Sequence, residues 1–66
     1  MNINVNGDVM EVEDSTTVED LIMQLSLGNK RIAVEVNQRI ITKSLHGSTK
    51  LTSNDTIEII HAIGGG

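Results

Sequence analysis

The spacing of apolar residues changes twice along this chain of 66 residues, from strand-like alternation to helical spacing and back. Apolar and polar residues alternate in residues 1–5, 9–13, 32–36 and 56–62, a pattern typical of half-buried strands. Between the second and third of these segments, the apolar residues of positions 18–25 follow the period of an amphipathic helix. One helical segment among strands predicts a sheet with the helix packed across one of its faces.

Turn and capping residues mark the boundaries of these segments. Asn6-Gly7 lies between the first two strands and predicts a tight hairpin, because both residues tolerate positive φ. Two residue pairs fit a capping box at the helix start, Thr16 with Glu19 and Thr17 with Asp20. Gly28-Asn29 predicts the end of the helix. A turn at residues 37–39 then leads into a short strand at Ile40-Ile41.

The order of these elements predicts an α+β fold of the β-grasp, or ubiquitin-like, class. We expect a mixed sheet of four to five strands in the order ββαββ, with the first and last strands parallel at its centre. Residues 1–63 are predicted to form a single domain, because the chain is too short for a second. Leu51 is a candidate core residue, and Leu45 is expected to plug the core beneath the polar loop of residues 42–49.

Composition excludes several classes of function. The chain has no Cys, so neither disulfides nor thiolate metal sites are possible. It has no Trp, Tyr or Phe, and a net charge of −4, which argues against nucleic-acid binding. With no signal-peptide pattern and no long apolar run, we expect a cytoplasmic protein that does not enter the membrane. His46 and His61 lack the spacing of metal ligands, so no metal site is expected.

Three glycines, Gly64, Gly65 and Gly66, follow the last strand segment. No further element comes after them, so neither a turn nor a helix cap accounts for them. Because glycine has no Cβ, such a tail can enter a slot too narrow for other residues. Its distinctive chemical group is the carboxylate of Gly66. We predict that residues 64–66 are a flexible tail whose carboxylate reacts or docks, and the alternative is an inert, frayed end.

An apolar patch is predicted on the sheet face that the helix leaves open. If Ile57 and Ile59 face the core, the residues that alternate with them face outward. Either Ile40 or Ile41 must also face outward, because neighbouring strand residues point to opposite faces. The residues assigned to a partner-docking patch are Ile41, Glu58, Ile60 and Ala62.

The sequence resembles the ThiS family, the sulfur carrier proteins of thiamin biosynthesis, over essentially its whole length. The resemblance lies in Asn6-Gly7, Thr17-Val18 with Leu21 and Leu25, the run Ala-Val-Glu-Val-Asn at 33–37, Leu51 with Asn54-Asp55, and residues 57–66. The family often has Gly where Asn54 stands, but Asn also suits a left-handed turn position. The family often has an aromatic residue where Ala62 stands, which weakens the expected grip of the patch on its partners.

The resemblance implies a protein substrate and carrier, not an enzyme, which is monomeric when free and binds no cofactor itself. It implies that a ThiF-like adenylating enzyme uses ATP and magnesium to activate the Gly66 carboxylate, with Gly64 and Gly65 inside its active site. A sulfur donor such as a cysteine persulfide would then give a thiocarboxylate at Gly66. A ThiG-like thiazole synthase would receive that sulfur.

Other interpretations share some of these features. A sulfur carrier for molybdopterin synthesis or another pathway has the same fold and Gly-Gly end, and a ubiquitin-type modifier has the same activation chemistry. A β-grasp interaction module with an inert tail would keep its activity after deletion of Gly65 and Gly66. An enzyme is disfavoured because the sequence has no Ser-His-Asp arrangement, Cys nucleophile or glycine-rich phosphate loop.

Overall fold

Residues 1–61, the part of the chain that the computed structural model describes, form one mixed sheet and one α-helix. The elements are β1 (Asn2–Val5), β2 (Asp8–Glu11), α1 (Val18–Gln24), β3 (Ile32–Val36), β4 (Arg39–Ile41), a 3₁₀ turn (Lys43–Leu45) and β5 (Thr56–His61). The strand order is β2-β1-β5-β3-β4, in which β1 and β5 are parallel and the other neighbours antiparallel. The predicted β-grasp fold and its parallel central pair are confirmed, and the sheet has five strands.

Both hairpins turn through two residues with positive φ. Asn6 and Gly7, with φ of 52° and 89°, join β1 to β2 as the Asn-Gly pair predicted. Asn37 and Gln38, with φ of 51° and 70°, join β3 to β4. Two such residues match the right-handed twist of the flanking strands. The predicted three-residue turn at 37–39 is therefore one residue too long, because Arg39 already pairs with its partner in β3.

The start of α1 is set by a capping box around Thr17. The Thr17 hydroxyl accepts a hydrogen bond from the Asp20 N–H at 3.1 Å, and the Asp20 carboxylate accepts one from the Thr17 N–H at 3.0 Å. Of the two pairs that the sequence allowed, this is the one that forms. Thr16 is instead buried, and its hydroxyl donates to the Glu13 carbonyl at 2.6 Å.

The sequence predicted that the helix ends at Gly28. In the structure α1 ends at Gln24, four residues earlier. Ser26 has a φ of 60°. Its N–H donates to the Met23 carbonyl at 3.0 Å, and the Leu27 N–H donates to the Ile22 carbonyl at 2.9 Å. This is a Schellman cap with serine in the position that glycine usually takes. No helix within residues 1–61 is long and apolar enough to cross a membrane.

The core lies between α1 and the inner face of the sheet. Its buried apolar residues are Ile3, Val12, Val18, Leu21, Ile22, Val34, Val36, Leu51, Ile57 and Ile59. Leu51 and the inward isoleucines of β5 lie where the sequence placed them. The prediction for Leu45 is wrong, because its side chain is 50% exposed. The neighbouring His46 is buried instead, and its Nε2 lies 3.0 Å from the Ile41 carbonyl oxygen.

A buried carboxylate ties the β3–β4 turn to the start of β5. Burial raises the pKa of Asp55, but three hydrogen bonds to its carboxylate outweigh burial and leave the pKa below its ordinary value. The donors are the Thr52 N–H at 2.7 Å, the Asn37 amide at 2.9 Å and the Thr52 hydroxyl at 2.9 Å. Asn37 also accepts a hydrogen bond from the Thr56 N–H at 2.9 Å. Asp55 therefore remains charged and fixes where the last strand begins.

Candidate functional site

The sheet face opposite α1 carries a small apolar and acidic surface, which we call the open-face patch. It consists of Ala33, Glu35, Ile40, Glu58 and Ile60, which alternate with inward or core-facing residues of β3, β4 and β5. Ile40 is 71% exposed and Ile60 is 49% exposed. Isolated exposed isoleucines are common; here Ile40 and Ile60 lie on the same face of the sheet, on the two strands that flank β3.

Strand register places two like charges opposite each other inside this patch. Glu35 of β3 pairs with Glu58 of the antiparallel strand β5. Like charges directly opposite each other destabilise a sheet, and within residues 1–61 neither carboxylate has a basic group within ion-pair distance. The open-face patch therefore has an acidic centre whose repulsion a basic group from outside would relieve.

The structure separates the residues that the sequence assigned to docking. Glu58 and Ile60 lie on the open face, as predicted. Ile41 does not, because it pairs with the fully buried Val34 and packs against the core. The outward isoleucine is Ile40, which pairs with Glu35. Ala62 lies outside the described residues, so its assignment stays a prediction.

The length of the β3–β4 turn determines which of the two isoleucines faces outward. A turn of two residues at Asn37-Gln38, rather than three, places Arg39 opposite Val36. Because Val36 faces the core, the next residue along β4 must face outward. Counting from a two-residue turn would have identified Ile40, and with it the neighbouring Glu35.

The patch reaches the end of the described part of β5. β5 ends at His61, which pairs with Ile32, and Ile60 immediately precedes it. Gly64, Gly65 and Gly66 lie outside the described residues, so their roles stay predictions. Within residues 1–61, the exposed Ile60 and the last paired residue of the strand are therefore consecutive in the chain.

The largest groove described within residues 1–61 has a mainly apolar lining. This groove of about 860 Å³ lies between the end of α1 and β4, with apolar walls that include Ile22 and Ile41 and with Lys30 and Lys43 among its lining. Its histidine, His46, uses Nε2 to donate to a backbone carbonyl, which is a structural role. Within residues 1–61, no three His, Asp or Glu side chains come together as a metal site.

Comparisons with known proteins agree on one family. Residues 3–66 match the model of the ThiS family. The chain is 40% identical over 65 residues to the sulfur carrier protein ThiS of Bacillus subtilis, a match that covers 97% of this chain and 98% of that protein. It is 38% identical over 66 residues to a thiazole synthase of Magnetococcus marinus, of which it spans only 20% of the length.

A solved structure shares the fold over the whole chain. The crystal structure of the thiamine biosynthesis protein ThiS from Geobacter metallireducens matches with a TM-score of 0.87 and 28% sequence identity. The match covers 100% of this chain and 100% of that chain. The five-stranded sheet with one helix is therefore the same architecture in both proteins.

Proposed function

Since this chain belongs to the ThiS family, we propose that it is a sulfur carrier protein of thiamin biosynthesis and not itself an enzyme. The observation that supports this most strongly is the family match, which runs from residue 3 through the three glycines to residue 66. The similarity to a thiazole synthase favours the thiamin pathway over molybdopterin synthesis. A protein modifier or an inert-tail module has no comparable support.

The chemistry would take place at the carboxylate of Gly66. A carboxylate is a poor electrophile, because its resonance and negative charge repel nucleophiles. In a partner ThiF-like enzyme that uses ATP and magnesium, a carboxylate oxygen attacks the α-phosphorus and pyrophosphate leaves. The resulting acyl adenylate carries AMP as a good leaving group. The slender Gly64-Gly65 segment is the part that would lie in the partner's active site.

Sulfur would then replace oxygen in two further steps. The terminal sulfur of a cysteine persulfide attacks the acyl carbon and AMP leaves, which forms an acyl disulfide. A thiol cleaves its sulfur–sulfur bond, so that a thiocarboxylate remains on Gly66 and a disulfide forms between the thiol and the donor. The thiocarboxylate is a soft, ionised nucleophile, suited to delivering sulfur to a thiazole synthase. The carrier has no Cys of its own that would compete with the donor.

The open-face patch is the surface that we propose for docking on the partner enzymes. Ile40 and Ile60 supply apolar area, and Ala62 would extend it towards the tail. A partner arginine or lysine between Glu35 and Glu58 would relieve the repulsion of the two carboxylates that the strand register places opposite each other. The surface would bind both the adenylating enzyme and the synthase, because each must hold the carrier while its tail reacts.

Ile60→Asp should weaken binding to the adenylating enzyme at least tenfold, or about 1.4 kcal/mol, because it buries a charge in an apolar contact. Its effect on unfolding should stay within about 1 kcal/mol, since the side chain is 49% exposed. Leu45→Asp is the matched control, because Leu45 is 50% exposed and lies outside the patch. Calorimetric titration measures both affinities, and equal losses in the two variants would remove the patch from the proposal.

Intact mass spectrometry tests the proposed function directly. The protein is incubated with a ThiF-like enzyme, ATP, magnesium and a persulfide donor, and its mass is compared before and after. We expect a gain equal to the exchange of one oxygen for one sulfur, located at Gly66 by fragmentation. A mass that stays unchanged while the same enzyme converts a known carrier would support the inert-tail module instead.

The domain limits, the monomeric free state and the cytoplasmic location also stay predictions.

A further inference from the structure

We infer that the side chain of Asn6 is a positioning group, which holds the end of β5 in a fixed position relative to the open-face patch. The inference rests on the proposed function, because it concerns delivery of the tail into a partner's active site. Its evidence is a pair of contacts between residues 53 positions apart, within the described part of the chain. These contacts involve the carboxamide of Asn6 and the backbone of Ile59.

The Asn6 carboxamide extends the hydrogen bonding between β1 and β5 beyond the last backbone hydrogen bond of the pair. β1 pairs with β5 only as far as Val5 and Ile57, because the chain then turns into the hairpin. The Asn6 N–H makes the last backbone contact, to the Ile57 carbonyl at 2.9 Å. Beyond it, Asn6 Oδ1 accepts from the Ile59 N–H at 2.8 Å, and Asn6 Nδ2 lies 3.3 Å from the Ile59 carbonyl oxygen. The side chain thus takes the place of a peptide unit.

This contact holds β5 at Ile59, two residues before the strand ends at His61. On its other edge β5 pairs with β3 up to His61, so the Asn6 carboxamide secures the edge that β1 has left. Ile59 is followed by Ile60 of the open-face patch and then by His61. If the carrier docks through Ile60, delivery of its tail requires that the end of β5 keeps a constant position relative to the open-face patch. Misplacement of a reacting group by about 1 Å can slow a reaction on the order of 100-fold.

The backbone conformation of Asn6 allows its side chain to be removed without changing the turn. Asn6 has a φ of 52°, which glycine adopts without strain. Asn6→Gly therefore keeps the turn and removes only the carboxamide. Asn37 provides a matched control, because it has a φ of 51° in the other hairpin and its carboxamide holds the opposite end of β5 through the Thr56 N–H. Asn37→Gly removes this contact at the start of β5, and with it the hydrogen bond that the Asn37 amide donates to the Asp55 carboxylate.

The experiment compares the two variants in thiocarboxylate formation and in hydrogen exchange. We expect Asn6→Gly to lower kcat, with the carrier as the varied substrate, about tenfold or more, while KM changes little because the patch is intact. Asn37→Gly should leave kcat within about twofold at a temperature where both variants are folded. In the free protein, exchange of the Ile59 amide should accelerate in Asn6→Gly and not in Asn37→Gly.

Each outcome has a separate meaning. Equal kcat values for the two variants, at equal folded fractions, would overturn the positioning role and leave Asn6 as a structural residue. An Ile59 amide that exchanges equally fast in wild type and Asn6→Gly would overturn the contact itself, whatever the enzyme assay shows. If wild type is not converted at all, the proposed function fails first, and the hydrogen-exchange result alone then decides whether Asn6 secures the strand.

Discussion

Deleting Gly65 and Gly66 should abolish thiocarboxylate formation while leaving the folded domain unchanged. The deletion moves the terminal carboxylate about 7 Å back along an extended chain, too far to reach the α-phosphate of ATP bound in the partner. Within residues 1–61, the buried core runs from Ile3 to Ile59, so we expect this core to keep its packing after the deletion. Intact mass measures the reaction, and the far-ultraviolet circular dichroism melting curve measures the fold.

The truncated protein provides its own control for docking. If the open-face patch binds the adenylating enzyme, the truncated carrier should still compete with the full-length chain and inhibit its conversion. A truncated protein that neither reacts nor competes would place the binding energy in the tail and not in the patch. A truncated protein that reacts at the rate of the full-length chain would contradict the role of Gly66 altogether.

Leu21→Ala should remove about 2–5 kcal/mol from the free energy of unfolding. The Leu21 side chain is fully buried, at the centre of the face that α1 turns to the sheet. Truncation would leave a cavity, because five of the nine other buried core residues belong to strands of the sheet and can close in only partly. A domain of this length has a total stability of roughly 3–10 kcal/mol, so the variant would lie close to unfolding.

Met23→Ala is the matched control for this change. Met23 lies two residues further along the same helix but is 68% exposed, so alanine there should change stability by at most about 0.5 kcal/mol. Urea unfolding followed by circular dichroism is the suitable measurement, because the chain has no aromatic residue to report by fluorescence. The midpoint should fall for Leu21→Ala at an unchanged slope. Equal midpoints for the two variants would contradict the packing of α1.

Local chemistry was enough to predict most of the fold. The Asn6-Gly7 hairpin and the Thr17–Asp20 capping box depend on residues next to each other, and both formed as the sequence indicated. The inward positions of Ile57 and Ile59 followed from the two-residue period of a strand. These features were predictable because the spacing of apolar residues and the tolerance for positive φ are properties of short segments.

The wrong predictions concern competition between neighbouring residues. Leu45 was expected to fill the core, but the 3₁₀ turn directs His46 inward, where its ring reaches a backbone carbonyl. The helix was expected to reach Gly28, but Ser26 adopts positive φ and closes a Schellman cap earlier. In both places two residues close together in the chain could serve, and the sequence does not show which of them the tertiary packing favours.

The sequence by itself determined the class of fold, the family and the residues available for chemistry, because each rests on short patterns and on a tail that three glycines define. Only the tertiary structure decided which groups meet. The opposition of Glu35 and Glu58 depends on the register of two strands far apart in the chain, and so does the contact of Asn6 with Ile59. A short turn fixes the register of a hairpin, but the register of strands that no short turn connects is fixed only when the sheet closes over its core.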